Sequence, residues 1–184
     1  TMFYPTFLSS FYWSFQVSNL EQIQEYVDSQ TTIDNSPFNW GNECLIDRIE
    51  LDTEEVLDLI TPSINEFSET WNKQVEIKIY NPWINLYKRG YYQEVHDHRT
   101  DFGATIVLND DVDFSKFYFF NRNSNCVSNK VLHLLKDLAT YDIFYPNVKA
   151  GTILFFPGTA LHGVTVHKSD VVRKTLSFNI DIVS

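Results

Sequence analysis

Apolar and polar positions along the chain follow two different periods, and the change between them falls near residue 73. Before that point helical spacing leads. Phe11 to Val17 is aromatic and β-prone, and Ser18-Asn19-Leu20-Glu21 then reads as a capping box, with Ser18 as N-cap and Glu21 at N3. Leu20, Ile23 and Val27 follow at helical spacing and predict a first short helix. Thr31 to Gly41 is loop-like. A second helix is predicted from about Thr53 to Trp71, with Val56, Ile60, Ile64, Phe67 and Trp71 on one side. Pro62 lies inside it and is expected to kink it, or to restart it with Thr61 as a new cap.

After Lys73 the period drops to two. Val75 to Tyr80 alternates as a half-buried strand does, and Trp83 to Arg89 follows before a turn at Gly90. Ala104 to Leu108, Phe114 to Phe120, Ile153 to Phe156, Gly163 to Val166 and Lys174 to Ile182 all read as strands. Asn121 to Asn125 is a polar loop, and Val127 to Leu138 fits either a strand or a short helix. Helices first, then seven or eight short strands, predict an α+β chain, mainly β, whose core is a sandwich or closed double sheet. No repeat, low-complexity tract or linker divides the sequence. One domain over 1–184 is expected, helical to about residue 73 and β from about 74.

Composition narrows the function classes. Hydrophobic residues make up 43% of the 184 and aromatics 16%, too apolar for a disordered chain. The net charge is −10, and 14 Lys and Arg are spread without a basic patch, so nucleic acid is not an expected partner. Cys44 and Cys126 lack the CxxC spacing of a zinc knuckle, and a reduced, intracellular, cytoplasmic setting is expected. No apolar run approaches a membrane span. The start at Thr1-Met2-Phe3 has neither the charged nor the apolar region of a signal peptide, so no secretory leader is expected.

The candidate chemistry begins with five histidines, His96, His98, His133, His162 and His167. Side chains two apart on an extended segment point the same way, so His96 and His98 can face one ion. His162, after the apolar run Gly151 to Pro157, is the strongest candidate for a third nitrogen. Two ligands at the end of one strand and one on a later strand can occupy one face of an octahedral ion, leaving the other face for a cosubstrate and O₂. Arg173 follows His162 by 11 residues. With period two, Arg173, Thr175, Ser177 and Asn179 share one face of a strand, and Leu176, Phe178 and Ile180 share the core face. A guanidinium beside a hydroxyl suits a carboxylate ligand. His133 and His167 are expected to be structural, with His167 a lesser candidate for a substrate contact.

Several of these pieces together resemble the non-haem Fe(II)/2-oxoglutarate dioxygenases, most closely a small phage and bacterial branch related to prolyl hydroxylases. They are Trp83-Ile84-Asn85-Leu86-Tyr87, Tyr92 to His98, Gly151-x-x-Leu154-x-Phe156-Pro157, His162-Gly163-Val164 and Arg173-x-Thr175-x-Ser177-x-Asn179. The resemblance implies a double-stranded β-helix (jelly roll) with the N-terminal helices packed outside it. It also implies Fe(II) at the first motif and His162, with O₂ and 2-oxoglutarate as cosubstrates. The tail carboxylate of 2-oxoglutarate would be held by Arg173, with Thr175 in the hydroxyl slot and Ser177 and Asn179 on the same face. Tyr87 and Asn85 lie where the family often contacts the cosubstrate. The substrate implied is a protein or peptide side chain, or a small molecule.

One position departs from the family. Its usual first motif is His-x-Asp, and here His98 stands at the third place. The donors are then His96, His98 and His162, favoured because period two needs no special backbone. Alternatively they are His98, Asp101 and His162 after a tight turn, or a bulge lets His96 and Asp97 ligate. Two rival functions remain: a cupin-like or lectin-like binding module with a structural metal, and a three-His oxygenase that does not use 2-oxoglutarate. The loops Asp110 to Asn129 and Thr31 to Gly41 are candidates for shaping a substrate groove.

Overall fold

The computed structural model describes residues 11–31, 37–38, 44–121 and 143–183. His133, Cys126, the Val127–Leu138 segment, most of Thr31 to Gly41 and the Asn121–Asn125 loop after Asn121 lie outside the described residues. Up to the middle of the chain the elements are β1 (Trp13–Gln16), α1 (Leu20–Gln30), β2 (Pro37–Phe38), β3 (Cys44–Glu50) and α2 (Thr53–Glu69). There follow β4 (Glu76–Tyr87), β5 (Tyr92–His96), β6 (Phe102–Val107), β7 (Phe117–Phe120), β8 (Ile143–Phe144), β9 (Thr152–Pro157), β10 (His162–Val164) and β11 (Arg173–Val183). Among the described residues, three strands thus precede residue 74, in a region the sequence reads as mainly helical. β2 falls within the stretch read as a loop.

The two helices form where the apolar spacing places them, but their ends differ from the sequence reading. The N-cap of α1 is Asn19 rather than Ser18, and no side chain caps it. Asn19 Nδ2 instead donates to the Leu59 carbonyl at 2.9 Å, tying α1 to α2. α2 begins on Asp52, whose carboxylate accepts from Glu54 N at 2.7 Å, with Glu54 and Glu55 complementing the helix dipole. It runs without restart through Pro62. Pro62 and Asp58 lie on the exposed side, where the carbonyl deprived of an N–H partner can meet water. Thr61 is no cap; its hydroxyl donates to Leu57 O at 2.7 Å.

Among the described residues, ten strands follow one hydrogen-bonded path, β1-β9-β6-β11-β4-β3-β5-β10-β7-β8, with β2 added on β3. Every recorded pairing is antiparallel. The path folds at β3: Asp47 to Glu50 pair with β4, while Cys44 and Leu45 pair with β5. The result is the two facing antiparallel sheets of a double-stranded β-helix. No helix among the described residues is long and apolar enough to cross a membrane.

Period two sorts the large sheet into its two faces. Ile84, Leu86, Ile106, Ile153, Phe155, Leu176, Phe178 and Ile180 pack with Ile23 and Val27 of α1 and with Val56, Ile60, Ile64 and Phe67 of α2. Phe67 stacks on Phe155 with ring centroids 4.2 Å apart. The helices therefore cover the outside and leave the inner face to the second sheet. A second apolar cluster, including Ile46, Phe117, Phe119, Leu154, Phe156 and Val164, fills the space between the sheets.

β4 is one strand where the sequence suggests two. Its register against β11 shifts by one residue between Ser177↔Trp83 and Asn179↔Tyr80. The extra residue lies at Asn81-Pro82, where Asn81 has φ +48° and proline supplies no ladder donor. This bulge changes the apolar phase from Ile77 and Ile79 to Ile84 and Leu86, keeping both halves on the helix side.

Candidate metal centre

The bulge also sets the phase that turns Trp83, Asn85 and Tyr87 inward, beside Arg173, Thr175 and Ser177 of β11. These residues line one cavity between the sheets. His96, His98 and His162 line it from the other sheet. His96 ends β5 and His162 opens β10, directly opposite each other in the antiparallel register. Such a pair projects to the same side. His98 follows β5 and is pinned by its backbone N–H to Gly158 O at 2.7 Å. Gly158 N returns a bond to Asp101 O at 2.9 Å. A Cβ on Gly158 would lie 2.0 Å from the Thr100 carbonyl oxygen, so only glycine permits this approach.

The donor atoms of His96, His98 and His162 all lie within 4.8 Å of one another. His98 Nε2 and His162 Nε2 are 3.2 Å apart. Two nitrogens each about 2.1 Å from one ion, at right angles, lie about 3 Å apart, so this pair suits adjacent coordination positions. His96 Nδ1 is hydrogen-bonded to Glu94 O and His162 Nδ1 to Ala160 O, each at 2.8 Å. These bonds fix the ring orientation and reserve Nε2 for a cation. Phe117 and Phe156 flank the His162 ring at 5.3 Å and 4.7 Å between centroids.

Burial keeps all three imidazoles neutral, the form that binds metals. It lowers the His96 pKa, and lowers that of His162 well below the ordinary value. Burial, reinforced by His96 and Arg48, brings His98 down to about 4. In the metal-free protein the unfolded chain therefore takes up protons as pH falls through about 6.5, while the folded site does not. The stability these groups contribute is fully present above about pH 7 and is lost as pH falls from about 6.5 towards 4. Each displaced group steepens the loss by up to about 1.4 kcal/mol per pH unit. Thermal melts in chelator should show Tm falling over this range, with a shallower fall for His98→Gln. An unchanged slope in that variant contradicts the assignment of the titration to this cluster.

The two carboxylates considered from the sequence are not brought into the group. Asp97 is exposed and is not among the clustered donors. Asp101 is also exposed, and its Oδ2 accepts from Ile182 N at 2.8 Å at the end of β11.

Arg173 is 3% exposed and packs over the Tyr87 ring, 4.9 Å from its centroid. Its NH1 is buried without a partner, and desolvation lowers its pKa. An orphaned buried guanidinium nitrogen calls for an anion. Thr175 Oγ1 accepts from Asn85 Nδ2 at 3.3 Å, and the Asn85 Oδ1 is likewise buried without a partner. The Tyr87 hydroxyl donates to Gln93 Oε1, which holds it at the cavity wall. Ser177 bonds Thr105 across the strands at 3.0 Å. Asn179 does not reach the cavity; it lies past the bulge, opposite Tyr80 and Gly103.

His167 is fully buried, accepting from Ser115 N and bonded to Val171 O, which makes it a structural histidine. Sequence reading passed over Gln93 and Trp83 as site residues, and missed Arg48 with the whole of β3. Arg48 and Glu50 break the apolar alternation after Ile46. That break was the available signal.

A family model for 2OG-Fe(II) oxygenases matches residues 81–179, just over half of the chain. No curated protein sequence matches. Among solved structures, the chain is similar to a 2OG-Fe(II) oxygenase-family oxidoreductase from Burkholderia pseudomallei, at 13% identity and TM-score 0.68, over 92% of this chain and 85% of that one. It is similar to a Pseudomonas putida prolyl-4-hydroxylase at 12% identity and TM-score 0.66, covering 94% and 93%. It is also similar to the viral collagen prolyl hydroxylase of Paramecium Bursaria Chlorella virus-1, in its 2OG complex, at 14% identity and TM-score 0.60, covering 92% and 94%. With the three imidazoles and a buried arginine on one cavity of a jelly roll, and a family match spanning both, the chain belongs to the 2OG-Fe(II) oxygenases.

Proposed function

We propose that His96, His98 and His162 hold Fe(II), that Arg173 grips the tail carboxylate of 2-oxoglutarate, and that the enzyme hydroxylates a side chain of a protein or peptide. The observation that carries this reading is the shared cavity: three neutral imidazoles on one wall and a buried guanidinium with an orphaned NH1 on the other. The iron, with 2-oxoglutarate and O₂, supplies the oxidation, in which substrate C–H becomes C–OH and the cosubstrate leaves as succinate and CO₂.

The chain's own residues do the rest. Arg173 and Thr175 orient the cosubstrate, since a guanidinium fork and an adjacent hydroxyl match two carboxylate oxygens. Tyr87, held by Gln93, and Asn85 complete that end. Phe117 and Phe156 exclude water beside His162. With no carboxylate among the donors, the centre keeps one more positive charge than a two-His, one-carboxylate site and favours an anionic cosubstrate. The near-complete mutual coverage with two prolyl hydroxylases supports a peptidyl substrate, and a single domain over the whole chain.

The test is to incubate iron-loaded protein with 2-oxoglutarate and O₂, with and without proline-containing peptides, and to measure succinate. Succinate should form, rise with a peptide substrate and vanish with chelator. Tight metal binding without succinate would favour a binding module. Oxygen consumption independent of 2-oxoglutarate would favour a three-His oxygenase of another type.

A further inference from the structure

The inner face of the large sheet continues past β4 onto β3. Arg48 lies opposite Asn85, and Glu50 opposite Trp83. Residues directly opposite in an antiparallel pair project to the same side. Asn85 and Trp83 line the cavity that holds the histidines, so Arg48 and Glu50 extend that wall outward.

The guanidinium carbon of Arg48 sits 4.4 Å over the Trp83 ring, whose centroid is 5.9 Å from that of His98. Arg48 Nε and Glu50 Oε1 form an ion pair at 2.7 Å. The Arg48 side chain is 19% exposed and that of Glu50 64%, which places the pair at the open end of the wall.

As a stability device a partly exposed ion pair contributes little. As a recognition device this one is well prepared. Stacking on Trp83 fixes the guanidinium plane, and the Glu50 carboxylate beside Nε sets its rotation. A planar fork held in this way matches a carboxylate.

We infer that Arg48 is a specificity-determining residue: braced by Trp83 and Glu50, it binds a carboxylate of the substrate and so positions that substrate at the three-histidine centre. The inference rests on the oxygenase reading above. The carboxylate can belong to a free amino acid derivative or to a peptide, and the probes separate these sources.

The experiment uses the whole 184-residue chain loaded with Ni(II) and saturated with 2-oxoglutarate. Calorimetry compares N-acetyl-L-proline with N-acetyl-L-prolinamide, and a proline-containing tetrapeptide with free against amidated C-terminus. In each effective pair the carboxylate should bind about 10- to 100-fold tighter than the amide. Preference in the first pair alone assigns the free derivative, and in the second the peptide. Arg48→Gln should erase the preference and Arg48→Lys should keep part of it, while 2-oxoglutarate affinity in both stays within about twofold of the parent, which also shows that the variants fold. Equal binding or no binding in both pairs overturns the inference, as does a preference that survives Arg48→Gln. A matching loss of 2-oxoglutarate affinity in Arg48→Gln also overturns it, assigning the guanidinium to the cosubstrate. If the parent protein fails to bind 2-oxoglutarate at all, the oxygenase reading itself fails, and this inference with it.

Discussion

Arg173→Met should weaken 2-oxoglutarate binding by about 2–5 kcal/mol, roughly 30- to 5,000-fold, while Ni(II) affinity changes by less than about threefold. The reason is the state of the guanidinium before the cosubstrate arrives. It is 3% exposed, its NH1 has no partner, and it packs over the Tyr87 ring. Desolvation has already been imposed by the fold, so an incoming carboxylate gains nearly the full strength of a charge-assisted bond. The same physics predicts a second, opposite effect. Burying a charge that no counter-ion meets costs free energy, and an apolar side chain of similar length removes that cost. The metal-free Arg173→Met protein should therefore melt no lower than the parent, and each kcal/mol gained would raise Tm by about 2–4 °C. Calorimetry of 2-oxoglutarate on nickel-loaded protein and melts in chelator test both halves. A variant that melts markedly lower and still binds 2-oxoglutarate normally would make Arg173 a structural residue.

His162→Ala should lower Ni(II) or Co(II) affinity by more than about 100-fold and abolish succinate formation, since even partners outside the ligand set typically contribute about 10–100-fold. His162 is 4% exposed, oriented by Ala160 O and opposed to His96. His98→Ala should act in the same direction. Asp97→Asn and Asp101→Asn should leave metal affinity within about threefold, because neither carboxylate joins the cluster and the amide introduced by Asp101→Asn keeps an acceptor oxygen for Ile182 N. Metal titrations of the four variants decide between the donor sets. A large loss in either Asp variant with none in His98→Ala would restore a carboxylate ligand.

Sequence and tertiary structure contributed differently to these expectations. Period two alone separates Arg173, Thr175 and Ser177 from Leu176, Phe178 and Ile180, because pleating sends alternate side chains to opposite faces whatever the partner strands are. The spacing of Ile23 with Val27, and of Val56, Ile60, Ile64 and Phe67, likewise determines which faces of the helices are buried. The pair His96-x-His98 and the apolar strand before His162 are equally local signals.

Other features depend on which strands become neighbours. β3 was illegible because Arg48 and Glu50 occupy its inner face, where the cavity wall takes polar side chains and the apolar alternation fails. Joining Val75–Tyr80 to Trp83–Arg89 required the Asn81-Pro82 bulge, whose positive φ is stabilised only within the paired sheet. The capping residue of α1 was decided by a contact with Leu59, 40 residues away in sequence.

The sequence by itself determined the candidate donors, the arginine stripe and the double-sheet class, since each follows from residue type and a repeating backbone geometry. Only the tertiary structure decided that His98 joins His96 and His162 while Asp97 and Asp101 remain outside. That choice depends on the β5–β10 register and on the Gly158 contact that turns the chain after His98, and neither is encoded by local spacing.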